Sequence, residues 1–126
     1  MVTRAPLVLV VEDEAGVREL LSLVLSTAGF QVVAAESALG VVERVRRQRP
    51  AALVLDLGLP YVSGAHLLAT LREDPDPAVR EVPVVVVSAL TEALPPARRA
   101  QVSAVLAKPF SVDALVSAVQ GAIARG

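Results

Sequence analysis

The sequence contains no cysteine, very few aromatic residues and no long hydrophobic run. Without cysteine, neither a disulfide framework nor a thiolate metal site can form, and a cytoplasmic location is the simplest expectation. Aromatic residues make up 2% of the chain and its net charge is −1, so we expect no base-stacking surface, no broad basic patch and no direct binding of nucleic acid. The apolar runs fall well short of the roughly 20 residues that span a bilayer, which predicts a soluble protein.

The N-terminal residues lack the features of a signal peptide. MVTRAP leads directly into LVLVVEDE, an apolar run that is too short for that role and ends in acids rather than in a small-residue cleavage site. With 126 residues, the chain has the usual size of one compact domain and can bury a core. We therefore predict a single domain over residues 1–126.

Five short apolar runs recur along the chain, and they are continuous and rich in β-branched residues rather than alternating. This pattern is typical of strands that are covered on both faces, as in a parallel sheet. The runs are LVLVV (7–11), FQVVA (30–34), AALVL (51–55), VPVVVV (82–87) and AVLA (104–107).

Between these runs lie segments with apolar residues at helical spacing. The helical stripes comprise Val17, Leu20, Leu21, Val24, Leu25 and Ala28; Leu39, Val42 and Val45; Leu67, Leu68 and Leu71; and Val112, Leu115, Val116, Val119 and Ile123. Gly29 and Pro50 supply stops for the first two helices, Ser63 or Gly64 begins the third, and Ser111 is a candidate N-cap for the last.

Two further segments are less regular. Residues 91–101 contain Pro95 and Pro96, which can open a helix but cannot lie in its interior, so we predict a short or late-starting fourth helix there. Residues 73–83 read as an exposed loop. The alternation of strand and helix predicts a doubly wound α/β sheet, in which ligands bind at the carboxyl ends of the strands.

Polar residues follow four of the five predicted strands at that edge. They are Glu12, Asp13 and Glu14 after the first, Asp56 after the third, Ser88 after the fourth and Lys108 after the fifth. Clustered carboxylates repel one another unless a cation compensates them, and oxygen-only ligands suit Mg²⁺. Asp56 is then a candidate nucleophile that accepts a phosphoryl group, with the metal and Lys108 offsetting charge on the phosphoryl oxygens.

Each of these residues also has an ordinary structural interpretation when it is taken alone. Asp56 is compatible with a helix cap or turn, the three acids with a helix first turn, Ser88 with a turn and Lys108 with a solvated surface. Lys108 stands out because it is the only lysine beside eleven arginines. The order of all these groups, each directly after a core strand, favours one shared site.

The segments VVEDE, LVLDLGLPYVSG, VVVVSAL and LAKPF, in this order and spacing, resemble the receiver domain of two-component response regulators, from Leu7 to about Arg125. The resemblance implies a flavodoxin-like fold with a five-stranded parallel sheet of order 2-1-3-4-5 and five helices, two on one face and three on the other. It also implies a signalling module rather than an enzyme. Such a module accepts phosphate from a histidine kinase or phosphotransfer protein, and it then changes a surface that binds an output partner or effector domain.

Carried over by position, the resemblance implies that Asp56 is the phosphoacceptor. It implies that Glu12, Asp13, Asp56 and the backbone carbonyl of Gly58 hold Mg²⁺, with Asp13 as the direct ligand of the acidic pair and Glu12 acting through water. Ser88 and Lys108 would contact the phosphoryl group, and the bond from Lys108 to Pro109 would be cis.

The chain departs from the family pattern at several positions. Glu12 stands where Asp is commoner, and Val105 replaces the Tyr or Phe that normally rotates inward after phosphorylation. Together with Pro95 and Pro96, this predicts an atypical switching surface beside an intact chemical site. Two alternatives stay open: a pseudo-receiver that acts as a constitutive interaction module, and an aspartyl-phosphate phosphatase, which Gly58 disfavours because it occupies the position of that class's general acid. We expect a monomer or weak dimer.

Overall fold

Five parallel strands form one sheet in the order β2-β1-β3-β4-β5 in the computed structural model, which describes residues 5–126. Residues 1–4, where the segment assessed above as a signal peptide begins, lie outside the described residues. The strands are β1 (Leu7–Val11), β2 (Gln31–Ala35), β3 (Ala52–Leu55), β4 (Val84–Ser88) and β5 (Ala104–Ala107). All five predicted strands and the flavodoxin-like strand order are confirmed.

Helices cover both faces of this sheet. They are α1 (Ala15–Thr27), α2 (Val41–Gln48), α3 (Gly64–Arg72), α4 (Pro77–Arg80), α5 (Pro96–Arg99) and α6 (Val112–Arg125), with a 3₁₀ turn at Thr91–Ala93. Helices α1 and α6 pack on one face, and α2 and α3 pack on the other together with α4 and Leu94 of the loop before α5. As expected, the helix that follows β4 is short and irregular, because Pro96 can lie only in its first turn.

The core consists of two apolar layers, one on each side of the sheet. Along β1, Val8 and Val10 face the α1–α6 layer, whereas Leu9 and Val11 face the opposite layer. Successive side chains of a strand point to opposite faces, so a central strand that is covered on both sides must be apolar at every position. This accounts for the uninterrupted apolar runs in the sequence.

The prediction of an exposed loop over residues 73–83 is wrong. Asp76 caps a short helix by accepting the backbone N–H of Ala78 at 3.0 Å, and Pro77 opens that helix. Val79 and Val82 from this segment are buried in the core. Residues 5–126 therefore contain six α-helices rather than the five expected. An Asp-Pro start and two spaced apolar residues suffice for one anchored turn.

Four residues of the predicted helical stripes are exposed: Leu20, Ala28, Leu39 and Val112. Leu20 on α1 is 48% exposed, and Leu39 is 64% exposed and precedes α2 instead of forming part of it. Gly40, at a φ of 76°, is the N-cap of α2, so the helix begins at Val41. The helix buries Val41 and Val45. The predicted N-cap Ser111 and the predicted start of α3 at Ser63 or Gly64 are confirmed, since Ser111 and Ser63 each accept a backbone N–H of the helix that follows. No helix within residues 5–126 is both long and apolar enough to cross a membrane.

An ion-pair network joins α2 to the segment before α4. Arg46 on α2 donates to both carboxylate oxygens of Asp74, at 3.1 and 3.0 Å. Asp74 also accepts the backbone N–H of Asp76 at 2.8 Å. These bonds favour the ionised carboxylate, with Arg46 the largest contribution, and they hold the pKa of Asp74 below its ordinary value.

Asp74→Asn should lower the melting temperature at pH 7, and the difference from wild type should shrink as the solution is acidified. Because the pKa of Asp74 is depressed in the folded state, its stabilisation is present above the unfolded pKa of about 3.9 and is lost as pH falls through the folded pKa. Thermal unfolding followed at pH 7 and at about pH 3 measures this. Glu73→Gln, at an exposed neighbouring acid, is the control and should change little at either pH. An equal decrease in melting temperature for Asp74→Asn at both pH values would show that the charge of Asp74 is not the cause.

Candidate functional site

The hydrogen-bond ladder of the sheet continues one residue past three of the strands and so fixes the polar residues at its carboxyl edge. Glu12 donates its backbone N–H to the carbonyl of Ala35 at 3.0 Å, and Asp56 donates to Val11 at 3.1 Å. Lys108 donates its backbone N–H to Ser88 at 3.1 Å. The ends of β1, β3, β4 and β5 therefore present their side chains at one edge, as the fold class predicts.

Three carboxylates converge at this edge. Carboxylate oxygens of Glu12, Asp13 and Asp56 lie within 4.8 Å of one another. The side chain of Asp13 is exposed, whereas Glu12 and Asp56 are only 1% and 8% exposed. Buried carboxylates so close together require a positive partner, since their mutual repulsion otherwise favours protonation of one of them.

Lys108 supplies that positive charge in this state. Its Nζ donates to Oε1 of Glu12 at 2.5 Å and to Oδ2 of Asp56 at 3.4 Å. Burial alone would lower the pKa of Lys108, but the bond to Glu12 and the charge of Asp56 outweigh it and raise that pKa. The lone lysine is therefore charged and shared between two acids on neighbouring strands.

The two buried acids respond differently to the same surroundings. Burial raises the pKa of Glu12, and the bonds from Lys108 and from the backbone of Glu14 offset this only in part. Burial also opposes ionisation of Asp56, but the Ser88 hydroxyl, the backbone N–H of Gly58 and the charge of Lys108 outweigh it and lower the pKa of Asp56. Asp56 is thus held as a carboxylate, the form that can act as a nucleophile.

The hydroxyl of Ser88 and the backbone of Gly58 complete the surroundings of Asp56. Ser88 is fully buried at the end of β4, and its Oγ accepts the backbone N–H of Leu90 at 3.0 Å. Gly58 donates its backbone N–H to Oδ1 of Asp56 at 3.2 Å. The peptide bond between Lys108 and Pro109 is cis, as the resemblance implied.

Sequence reasoning missed two contacts that shape the site. Arg18 on α1 donates to the backbone carbonyls of Glu12 and Asp13. Gly64 begins α3 directly against the backbone of Asp56, where an added Cβ would lie 2.1 Å from the Asp56 carbonyl oxygen. The sequence motif matched Gly64 only to a turn and helix start, and nothing in its pattern distinguished Arg18 from the other arginines.

Comparison with known proteins identifies this arrangement. The response regulator receiver domain family matches residues 8–120. The chain belongs to this family. The resemblance found in the sequence is thereby confirmed, and receiver domains are signalling modules.

Curated relatives place the receiver domain in longer regulators. The transcriptional regulatory protein KdpE of Mycobacterium tuberculosis (strain ATCC 25618 / H37Rv) is 31% identical over 121 residues, which cover 94% of this chain and 51% of that protein. The chain therefore spans about half the length of this relative.

Solved structures of receiver domains have the same fold. A sensor protein from Polaromonas sp. JS666 is 33% identical with a TM-score of 0.87, covering 95% of this chain and 97% of that one. The receiver domain of a sensor histidine kinase from Pseudomonas aeruginosa PAO1 is 27% identical with a TM-score of 0.82, covering 95% and 98%. That structure has a magnesium ion coordinated in its active site cleft.

The donor set of this receiver domain suits the same kind of ion. Three carboxylate oxygens within 4.8 Å of one another offer only hard oxygen ligands. Magnesium is typically bound through one or two carboxylates, with water and phosphate oxygens completing its shell. The acidic cluster therefore fits Mg²⁺ better than a softer metal, which would favour sulfur or imidazole ligands.

Proposed function

We propose that this receiver domain accepts a phosphoryl group on Asp56 from a histidine kinase or phosphotransfer protein, with Mg²⁺ as cofactor, in the cytoplasm. The observation that carries the proposal is the convergence of two further carboxylates, those of Glu12 and Asp13, and a single lysine around the buried side chain of Asp56. We propose that the domain acts through a partner protein or an effector domain rather than by binding nucleic acid itself, and that it is a monomer or weak dimer.

The chain's own residues have distinct roles in this transfer. An oxygen of Asp56 forms the new bond to phosphorus while the bond from phosphorus to the donor's histidine nitrogen breaks. Glu12, Asp13, Asp56 and the carbonyl of Gly58 would hold the metal, which when bound neutralises charge on the phosphoryl oxygens. Little covalent chemistry is then required of the protein beyond positioning and charge stabilisation.

Lys108 and Ser88 are placed to receive the transferred group. Lys108 pairs with Glu12 and Asp56 in this state, and its flexible stem allows the ammonium to exchange a carboxylate for a phosphoryl oxygen. Ser88 accepts a bond from Leu90 but retains its own hydroxyl proton, which it can donate to the phosphoryl group. We propose that these two contacts stabilise the phosphorylated form over the unphosphorylated one.

A pseudo-receiver is the second candidate, and the environment of Val105 favours it. Val105 pairs with Val86 in the sheet and packs, half-buried, against the same apolar layer as Leu94. A valine has no ring to swing between an exposed and a buried position, so the usual coupling of site to surface is missing at this residue. In this alternative the domain binds its partner constitutively.

Amide spectra recorded with Mg²⁺, and with Mg²⁺ plus beryllofluoride as a mimic of the acyl phosphate, test both candidates. We expect the amides of Asp56, Gly58, Ser88 and Lys108 to shift, since each lies in or beside the proposed pocket. Shifts that extend along residues 91–105 would show that the switching surface responds. Shifts confined to the pocket would favour the pseudo-receiver, in which the site is not coupled to the switching surface. No change in the amide spectrum at millimolar Mg²⁺ would contradict the phosphoacceptor proposal.

A further inference from the structure

Arg18 makes an unusual set of contacts at the start of α1. Its side chain folds back toward the end of β1, and Nη1 donates to the carbonyl oxygen of Glu12 at 3.0 Å and to that of Asp13 at 3.2 Å. The backbone N–H of Arg18 also bonds to the carbonyl of Glu14 at 2.9 Å. The side chain of Arg18 thus fixes the backbone of Glu12 and Asp13.

The guanidinium of Arg18 is not committed to a surface ion pair. Within residues 5–126 no carboxylate lies within salt-bridge distance of it, although other arginines of the chain, such as Arg46 and Arg80, do form such pairs. The residue is half-buried. Its Nη1 donates to the main-chain carbonyls of Glu12 and Asp13 and not to their carboxylates.

This arrangement has a physical consequence for the acidic cluster. The bonds from Arg18 to successive carbonyls restrict the backbone angles that aim the side chains of Glu12 and Asp13 toward Asp56. Lys108, by contrast, bonds to oxygens of the carboxylates themselves.

We infer that Arg18 is a positioning residue that pre-orders the Glu12–Asp13 turn for binding a divalent cation. The inference rests on the proposed function, because it assumes that these acids hold Mg²⁺. Groups that orient metal ligands without touching the metal typically contribute a factor of about 10 to 100 in metal affinity. Arg18 fits that description because its contacts are to the main chain of the ligand residues.

Arg18→Met tests the inference because it keeps most of the apolar stem and removes the charge and the donors. We expect its Kd for Mg²⁺, measured by amide-shift titration, to rise about tenfold or more. Arg18→Lys keeps the charge and one donor group, so its affinity should fall less. Arg44→Met is the matched control, since Arg44 is also half-buried and its Nη1 donates to a main-chain carbonyl, that of Ala34 at 2.9 Å. The control should bind Mg²⁺ like wild type.

A second readout separates positioning from general damage to the fold. Phosphorylation of Arg18→Met by acetyl phosphate should be slow at low Mg²⁺ and should approach the wild-type rate when Mg²⁺ is raised to saturation. A deficit that persists at saturating Mg²⁺, or an unchanged Kd in both Arg18 variants, would overturn the inference while leaving the proposed function intact. If wild type itself binds no Mg²⁺, the proposed function fails, and the inference fails with it.

Discussion

Asp56→Asn is expected to abolish phosphoryl transfer to this receiver domain. With Mg²⁺ and acetyl phosphate, the wild-type protein should gain the mass of one phosphoryl group, whereas the variant should gain none. An amide oxygen is a far weaker nucleophile than a carboxylate, and the pKa of Asp56 is lowered in this site so that the carboxylate form prevails. Intact-mass spectrometry measures both species directly.

No neighbouring acid is placed to replace Asp56. Glu12 is held by Lys108 on one oxygen and by the backbone N–H of Glu14 on the other, at 2.5 and 3.3 Å. Asp13 is exposed and lies at the rim of the cluster. Asp113→Asn, which removes an exposed aspartate on α6, is the control and should label like wild type. Labelling of Asp56→Asn at the wild-type rate would show that another residue is the acceptor.

Gly64→Ala should destabilise the fold by about 3 kcal/mol or more, a larger loss than most single substitutions cause. An added Cβ at this position would lie 2.1 Å from the carbonyl oxygen of Asp56 and 2.7 Å from Cα of Leu57. Both atoms belong to the main chain, so neither can move aside by a change of rotamer. Gly64 also donates its N–H to the carbonyl of Leu57 at 2.9 Å, which holds α3 against the loop that follows Asp56. Urea unfolding would measure the loss.

Gly16→Ala provides the matched control for that experiment. Gly16 lies on an exposed part of α1, and no atom lies within 4 Å of the Cβ that alanine would add. Alanine should stabilise this helix by up to about 1 kcal/mol, because it loses less conformational entropy on folding than glycine. If Gly64→Ala proved as stable as wild type, the backbone of Asp56 would have to lie farther from α3 than the structure shows.

The strands could be predicted because a doubly covered sheet imposes a strong local requirement. Every residue of β1 from Val8 to Val11 is buried, so polar residues are excluded along the whole run. Helix ends were also predictable where one residue carries the cap, as at Ser63 and Ser111. The helix α4 was not predicted, because a single turn leaves too few residues for a periodic pattern and its stability comes from burying Val79.

The exposed positions of the helical stripes show the same limit. Leu20 follows the helical period of α1, but the width of the stripe that is actually buried depends on how α1 packs beside α6. Leu39 lies outside α2 because Gly40 adopts a positive φ and serves as the N-cap of that helix. Spacing indicates which residues share a face, and packing decides how much of that face is covered.

The same distinction between local pattern and packing applies to the candidate site. The types of residue at the carboxyl edge follow from the sequence alone: acids after β1 and β3, a hydroxyl at the end of β4 and the lone lysine after β5. Each of them stands next to an apolar run that must be a core strand. The contacts among these residues came from the packing of the elements: Lys108 bonds to Glu12 more closely than to Asp56, Arg18 bonds to the backbone of Glu12 and Asp13, and Gly64 lies against the backbone of Asp56. These contacts join residues on different elements, and their distances depend on how those elements pack, which no local pattern of residues encodes.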